Sequence, residues 1–235
     1  MGDDERVKIL LASPRVKIFH LWGVDIPDKI KKSGIPVSIM LWDLSEDHIK
    51  RFDESATPGY ATHAYGFNEV DIVGQANMDV SSALGGWRDH IRPLAERGYI
   101  LGSPCTSSAP RGFDWMIDFV QQCGPDCHID EMPIHWYDVS LDGFKEYVKK
   151  WHDAFKKPLR ITEYAFQNFN GGDQLSMAQV LEVTEGAIRW LEEDERVLSY
   201  APFGFMDDMS GVNENNRLFS DDGVNELGWH YLNGY

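Results

Sequence analysis

The feature that most constrains the fold is a regular alternation of short, β-rich runs with longer amphipathic segments. The runs cover residues 16–22, 36–42, 60–69, 99–105, 129–137, 159–165 and 198–206. Between them, segments such as 140–156 and 176–193 repeat apolar residues every three or four positions, which is typical of a helix with one buried face. This alternation indicates parallel strands joined by crossover helices.

Seven β-rich runs without a glycine-rich dinucleotide fingerprint favour a closed barrel over an open sheet. The predicted fold is therefore an α/β fold of the (β/α)8 type, a compact TIM barrel. Its first strand position is weak or absent, because residues 3–12 are predicted to be helical. No repeat or low-complexity linker is visible, so residues 1–235 are expected to form one catalytic domain.

The charge balance excludes some classes of function. The chain carries 22 basic and 38 acidic residues, a formal net charge of −16, and it lacks the basic stripe that nucleic-acid binding requires. No apolar run approaches the roughly 20 residues that span a bilayer, so no membrane partner is expected. The first six residues lack the basic start and apolar stretch of a signal peptide.

Three cysteines bear on the compartment. Cys123 and Cys127 flank a Gly-Pro-Asp turn that brings the two sulfurs within reach of each other. A disulfide, two thiols and a metal site remain open at this point, with the disulfide favoured because no second Cys/His pair lies at ligand spacing. We predict the disulfide, with Cys105 left as a thiol, and a disulfide would argue for export.

Five of the β-rich runs end in clusters of polar and aromatic residues. These clusters are His20-Leu21-Trp22, Leu41-Trp42-Asp43, Phe67-Asn68-Glu69, His135-Trp136-Tyr137 and Thr162-Glu163-Tyr164. In a (β/α)-barrel the carboxyl ends of the strands converge on the active site, so these clusters predict its position.

Glu69 and Glu163 are the two carboxylates in these clusters whose pairing suggests a reaction. Glycosidic bond cleavage needs a proton donor for the leaving oxygen and a nucleophile or base at the anomeric carbon, and two carboxyl groups supply both. Either residue alone is readily explained as a surface or helix-capping carboxylate. Together, with Asn68 and Tyr137 beside them, they favour a glycosidase.

The motifs that carry these glutamates resemble glycoside hydrolase family 128 of clan A. The resemblance is carried by Gly66-Phe67-Asn68-Glu69-Val70-Asp71, Gln75-Ala76-Asn77, Leu101-Gly102-Ser103-Pro104, His135-Trp136-Tyr137, Ile161-Thr162-Glu163-Tyr164-Ala165 and Leu227-Gly228-Trp229-His230-Tyr231-Leu232. Val70 departs from the pattern, which usually has proline there. The resemblance implies a β-1,3-glucanase, endo- or exo-acting, from a family that is mostly exported.

The resemblance also implies roles for individual residues. Glu69 would be the general acid/base and Glu163 the nucleophile of a retaining double displacement. Asn68 would contact the sugar 2-hydroxyl, and Tyr137 would hydrogen-bond the nucleophile. No cofactor or metal is implied.

Further residues are candidates for substrate binding. His135 shares a strand face with Tyr137 and is expected either to line the same subsite or to be a hydrogen-bonded core histidine. Trp22, Trp42 and Trp136 are candidate sugar platforms, with barrel filling as the alternative. Five other tryptophans lie in helical segments and are expected to be packing residues: Trp87, Trp115, Trp151, Trp190 and Trp229.

The expected partner is a β-glucan polysaccharide or oligosaccharide, bound by a secreted, monomeric enzyme. Two alternatives remain open. One is another clan A glycosidase that uses the same two carboxylates on β-1,4-glucan or mannan. The other is a β-glucan-binding barrel protein without catalysis.

Overall fold

The structure is a computed structural model that describes residues 3–220 and 223–234. Each of the seven predicted runs overlaps a strand: β1 (Phe19–His20), β2 (Val37–Met40), β3 (His63–Tyr65), β4 (Ile100–Gly102), β5 (Met132–Asp138), β6 (Leu159–Phe166) and β7 (Val197–Pro202). The α-helices are α1 (Asp3–Ala12), α2 (Asp28–Ser33), α3 (Glu46–Ser55), α4 (Val80–Gly86), α5 (Pro110–Cys123), α6 (Leu141–Phe155), α7 (Met177–Glu193) and α8 (Glu226–Asn233). A short hairpin, β8 (Phe219–Ser220) and β9 (Gly223–Val224), precedes α8.

The strands confirm the predicted α/β class. Strands β1, β2, β3 and β4 form one sheet in sequence order and pair in parallel, and β5, β6 and β7 form a second. An isolated parallel bridge joins Gly102 to Glu131. A helix lies in each connection from β1 to β7, as parallel strands require.

The helical prediction for residues 3–12 is confirmed as α1. Among residues 3–18 the structure describes no strand, so β1 is the first strand of the described chain. Glu69 therefore follows the third described strand, and Glu163 lies on the sixth.

The chain divides into two compact units, which we describe separately. The Glu69 unit comprises Ile18–His135 and Lys157–Arg160, and the described residues of the Glu163 unit fall within Met1–Lys17, Trp136–Lys156 and Ile161–Tyr235. The single catalytic domain stays a prediction.

The core of the Glu69 unit is built on its parallel strands. All four residues of β2 are buried, as are Ala64 and Leu101 on the neighbouring strands. Such continuous burial is typical of parallel strands that are covered on both faces.

In the Glu163 unit, the helices begin at residues whose side chains cap them. Ser140 Oγ accepts a hydrogen bond from the Gly143 amide at the start of α6, and Ser176 forms a capping box with Gln179 at the start of α7. The buried face of α6 centres on Phe144, whose ring stacks with Tyr164 at 5.3 Å between centroids.

The predicted disulfide between Cys123 and Cys127 is present, and Cys105 is buried outside it. The bridged turn is tied to its surroundings, because Trp87 Nε1 donates to the Cys127 carbonyl at 2.8 Å. Within residues 3–220 and 223–234, no helix is both long enough and apolar enough to cross a membrane.

Candidate active site

Glu69 lies in the connection that follows β3. Its φ of 42° places it in the left-handed region, which is costly for a residue with a Cβ. The flanking backbone holds this conformation in place: the Asn68 amide donates to the Trp42 carbonyl at 2.9 Å, and the Val70 amide donates to Cys105 at 3.2 Å. Asn77 in the same connection has a φ of 40°, and non-glycine residues with strained backbone cluster at functional sites.

The Glu69 carboxylate is mostly buried and contacts a histidine of the same unit. Oε1 lies 3.1 Å from Nδ1 of His135, whose side chain is fully buried on β5. Because His135 fixes one oxygen of the Glu69 carboxyl group, the orientation of that carboxyl group is set within the Glu69 unit.

Asn68 is held so that its acceptor oxygen stays available. Its Nδ2 donates to Gln75 Oε1 at 3.0 Å, whereas its Oδ1 is buried and has no hydrogen-bond partner among the described residues. A buried amide oxygen without a protein partner is costly unless a ligand or water satisfies it.

The two candidate sugar platforms of the Glu69 unit, Trp22 and Trp42, differ in exposure. Trp22 follows β1 and is 43% exposed, so it presents apolar surface to solvent. Trp42 follows β2, is half-buried against Met40, Tyr65 and Cys105, and lies 5.8 Å from the ring of His48.

His20 also contributes to the electrostatics of this unit, although the sequence did not single it out as a site residue. Its ring stacks on Tyr65 at 5.6 Å, and Nδ1 lies 2.9 Å from Ser38 Oγ. Burial, reinforced by the nearby His135, lowers the pKa of His20 to about 3. The ring is therefore neutral at ordinary pH.

Glu163 is the fifth of the eight residues of β6 and is only 7% exposed. Tyr137, on β5, donates its hydroxyl proton to Glu163 Oε2 at 2.8 Å. The tyrosine ring lies edge-on to Phe203 and Phe169 at 5.9 and 5.5 Å. This hydroxyl donor fixes the position of one carboxylate oxygen of Glu163.

Trp136 does not have the surroundings of a sugar platform. It is 6% exposed, and its ring packs against Phe144 and Tyr147 of α6 at 5.5 and 5.1 Å. Because side chains alternate along a strand, it lies on the opposite face of β5 from Tyr137. This burial favours packing between strand and helix over a sugar contact for Trp136.

Residues 6–231 match the family described as Glycosyl hydrolase catalytic core. The chain belongs to this family. The comparison with curated proteins gives no match.

Solved structures similar to this glycosyl hydrolase chain come from glycoside hydrolase family 128, which confirms the resemblance in the sequence motifs. An endo-β-1,3-glucanase of subgroup II from Sorangium cellulosum is 26% identical, with a TM-score of 0.81 over 98% of this chain and 94% of that chain. An exo-β-1,3-glucanase of subgroup V from Cryptococcus neoformans is 19% identical, with a TM-score of 0.83 over 99% and 94%.

A third relative, of subgroup VII from Trichoderma gamsii, is an oligosaccharide-binding protein. It is 23% identical, with a TM-score of 0.80 over 99% of this chain and 91% of that chain. The three relatives thus comprise two β-1,3-glucanases and one oligosaccharide-binding protein.

Within this glycosyl hydrolase fold, the predicted site residues fall in both units. The Glu69 unit holds Asn68, Glu69, His135, Trp22 and Trp42, and the Glu163 unit holds Tyr137 and Glu163, with Trp136 packed in its core. Sequence reasoning missed Phe169, which is 59% exposed in the segment after β6. The available signal was an aromatic residue in a stretch rich in Asn and Gly.

Proposed function

We propose that this chain is a retaining β-1,3-glucanase in which Glu69 is the general acid/base and Glu163 is the nucleophile. The observation that carries the proposal is that, in a member of the glycosyl hydrolase catalytic core family, each of the two predicted glutamates is held by a hydrogen-bonding partner: His135 for Glu69 and Tyr137 for Glu163.

In the first step, the Glu163 carboxylate attacks the anomeric carbon while the Glu69 carboxylic acid gives its proton to the departing glycosidic oxygen. The bond from the anomeric carbon to that oxygen breaks, and a glycosyl ester with Glu163 forms. In the second step, the Glu69 carboxylate takes a proton from water, the water oxygen attacks the anomeric carbon, and Glu163 leaves. Two inversions give net retention of configuration.

Two local features support these roles. The hydrogen bond from Tyr137 holds one carboxylate oxygen of Glu163 in place and so orients the proposed nucleophile. The buried Asn68 Oδ1 is an acceptor that a sugar hydroxyl could satisfy, because its amide nitrogen is already held by Gln75.

The proposed substrate is a β-1,3-glucan of the laminarin type. The support is the similarity to two β-1,3-glucanase structures, together with the exposed Trp22, whose flat ring suits the apolar face of a pyranose. We also propose that the protein works outside the cell, since the Cys123–Cys127 disulfide is suited to an oxidising compartment. Its monomeric state stays a prediction.

Turnover of laminarin, cellulose and mannan, measured side by side, tests the substrate class. We expect reducing ends to appear with laminarin and the first-formed product to have the β configuration by NMR. Activity on β-1,4-glucan or mannan without activity on laminarin would point to another linkage. An inverted product would refute the double displacement.

Variants of the two glutamates test their separate roles. Glu163→Ala is expected to abolish turnover of every substrate. Glu69→Ala should lose several orders of magnitude on laminarin but keep activity on an aryl glucoside with a good leaving group, because that bond breaks without the proton. Azide should restore turnover of Glu69→Ala and yield a β-glycosyl azide. Near-normal activity of Glu163→Ala on laminarin would contradict the assignment.

The similarity to the Trichoderma gamsii oligosaccharide-binding protein supports a second candidate function, binding of β-glucan without cleavage. A single incubation with laminaripentaose distinguishes the two candidate functions. The binding function predicts heat of binding in calorimetry with no shorter product over days, whereas the glucanase predicts shorter oligosaccharides that disappear in Glu163→Ala.

A further inference from the structure

Among the exposed large apolar side chains of the described residues, Phe169 is the most exposed aromatic one, at 59%. It lies in the segment between β6 and α7, on the carboxyl side of the strand that carries Glu163. A singly exposed aromatic ring is ordinary on a protein surface, so the position and the contacts of Phe169 carry the argument.

The segment around Phe169 is fixed by its own hydrogen bonds. The Asn168 amide donates to Gln174 Oε1 at 3.0 Å, and Gln174 Nε2 donates back to the Asn168 carbonyl at 2.7 Å. Asn168 Nδ2 reaches the Asp173 carbonyl at 3.4 Å, and a Cβ on Gly172 would lie only 2.5 Å from that nitrogen. The loop therefore presents Phe169 in a preorganised position, which lowers the entropy cost of binding.

Phe169 contacts Tyr137, the residue that donates a hydrogen bond to the proposed nucleophile. Its ring meets the Tyr137 ring at 5.5 Å and 63°, and the Tyr137 hydroxyl donates to Glu163 Oε2. Phe169 is therefore one side chain away from Glu163. With this contact made, the Phe169 side chain is still 59% exposed.

We propose that Phe169 stacks on the apolar face of a pyranose ring of the bound glucan and contributes to substrate binding rather than to the chemical step. This inference rests on the proposed function, because it names the glucan as the ligand and Glu163 as the neighbouring nucleophile. A sugar ring offers a row of axial C–H groups to an aromatic face, and a branched aliphatic side chain cannot match that flat surface.

Three substitutions separate stacking from packing: Phe169→Leu, Phe169→Trp and Phe169→Ala. Leucine keeps apolar volume against Tyr137 but removes the flat face, whereas tryptophan keeps a flat face. With laminaripentaose we expect Phe169→Leu and Phe169→Ala to raise KM about five- to tenfold, with kcat within about twofold of the unsubstituted enzyme. Phe169→Trp should keep KM within about twofold.

Trp229→Leu is the matched control, because Trp229 is 54% exposed in the same unit and its ring contacts His230. We expect its kinetics to equal those of the unsubstituted enzyme. An unchanged KM in Phe169→Leu would overturn the proposal. A fall in kcat with unchanged KM would also overturn it, since the residue would then act through Tyr137.

Calorimetry with laminaripentaose separates failure of this inference from failure of the proposed function. If the chain binds the oligosaccharide but does not cleave it, the glucanase proposal fails, and a five- to tenfold weaker Kd in Phe169→Leu still supports the stacking contact. If cleavage occurs and Phe169→Leu binds laminaripentaose as tightly as the unsubstituted protein does, the glucanase proposal stands and the stacking contact is refuted.

Discussion

Replacing Glu131 by alanine tests how far the Glu69 unit depends on a charge buried in its interior. The Glu131 carboxylate is almost fully buried immediately before β5. Its Oε1 accepts from the Tyr65 hydroxyl at 2.5 Å and from Arg160 Nε at 2.7 Å. His63 lies beside them, 3.3 Å from Arg160 Nη2, and burial lowers the pKa of His63.

The expected cost follows from what Glu131→Ala leaves behind. The Arg160 guanidinium, whose side chain is 14% exposed, keeps its positive charge when the carboxylate is removed. The neutral His63 cannot supply the negative charge that Glu131 provided. The Tyr65 hydroxyl loses its acceptor in a fully buried position. Removing one partner of a buried pair costs about 3–5 kcal/mol, and this range already includes most of the Tyr65 contribution.

Urea unfolding followed by circular dichroism measures this loss as a change in midpoint at constant m value. Glu131→Gln should lose less, because the amide oxygen still accepts from Tyr65. The double variant Glu131→Leu/Arg160→Met should recover much of the loss, since it removes both buried charges.

Asp153→Ala is the surface control, because Asp153 pairs with Lys149 at an exposed position of α6. We expect its midpoint to be unchanged. A loss below about 1 kcal/mol in Glu131→Ala, with the m value unchanged, would refute the reasoning, because the Arg160 charge and the Tyr65 hydroxyl would then be satisfied without Glu131.

Three further predictions follow from other contacts. Tyr137→Phe removes the hydrogen bond to Glu163 and is expected to lower kcat on laminarin about ten- to hundredfold, with an unchanged rate contradicting this. Burial lowers the pKa of His20 from 6.5 to about 3, so the unfolded chain binds a proton that the folded protein does not, and stability should fall as pH drops from 6.5 towards 3. His20→Gln should flatten that slope by up to about 1.4 kcal/mol per pH unit in urea titrations. Reduction of the Cys123–Cys127 bridge should lower the free energy of unfolding by about 2 kcal/mol or less, and mass spectrometry that found three alkylatable thiols in the unreduced protein would disprove the bridge.

The sequence alone predicted the order of the elements well. Helices α6 and α7 begin directly after Ser140 and Ser176. Their starts were predictable because a capping side chain and an apolar repeat are both local signals. Strand lengths were less predictable: the run 60–69 contains only the three strand residues His63–Tyr65. Strand ends depend on where a neighbouring strand stops pairing, and a local pattern does not contain that information.

The fate of individual aromatic residues also required the tertiary structure. Trp136 was a candidate sugar platform and is buried against α6, whereas Trp229 was expected to pack and is exposed. Trp87 and Trp151 are fully buried, as expected. A tryptophan has the same local pattern in both situations, since its burial depends on which element packs against it.

The sequence by itself named the two glutamates, because an acidic residue at the end of a β-rich run is a local feature and the surrounding motif resembles a known family. The resemblance also implied the contact between Tyr137 and Glu163, whereas only the tertiary structure showed that His135 holds Glu69. His135 and Glu69 are 66 positions apart, and Tyr137 and Glu163 are 26 apart. The buried pair of Glu131 and Arg160, which are 29 positions apart, was not predictable from any local sequence pattern. Such pairs form when packed strands bring distant side chains within hydrogen-bonding distance and exclude water, and no single stretch of sequence records that distance.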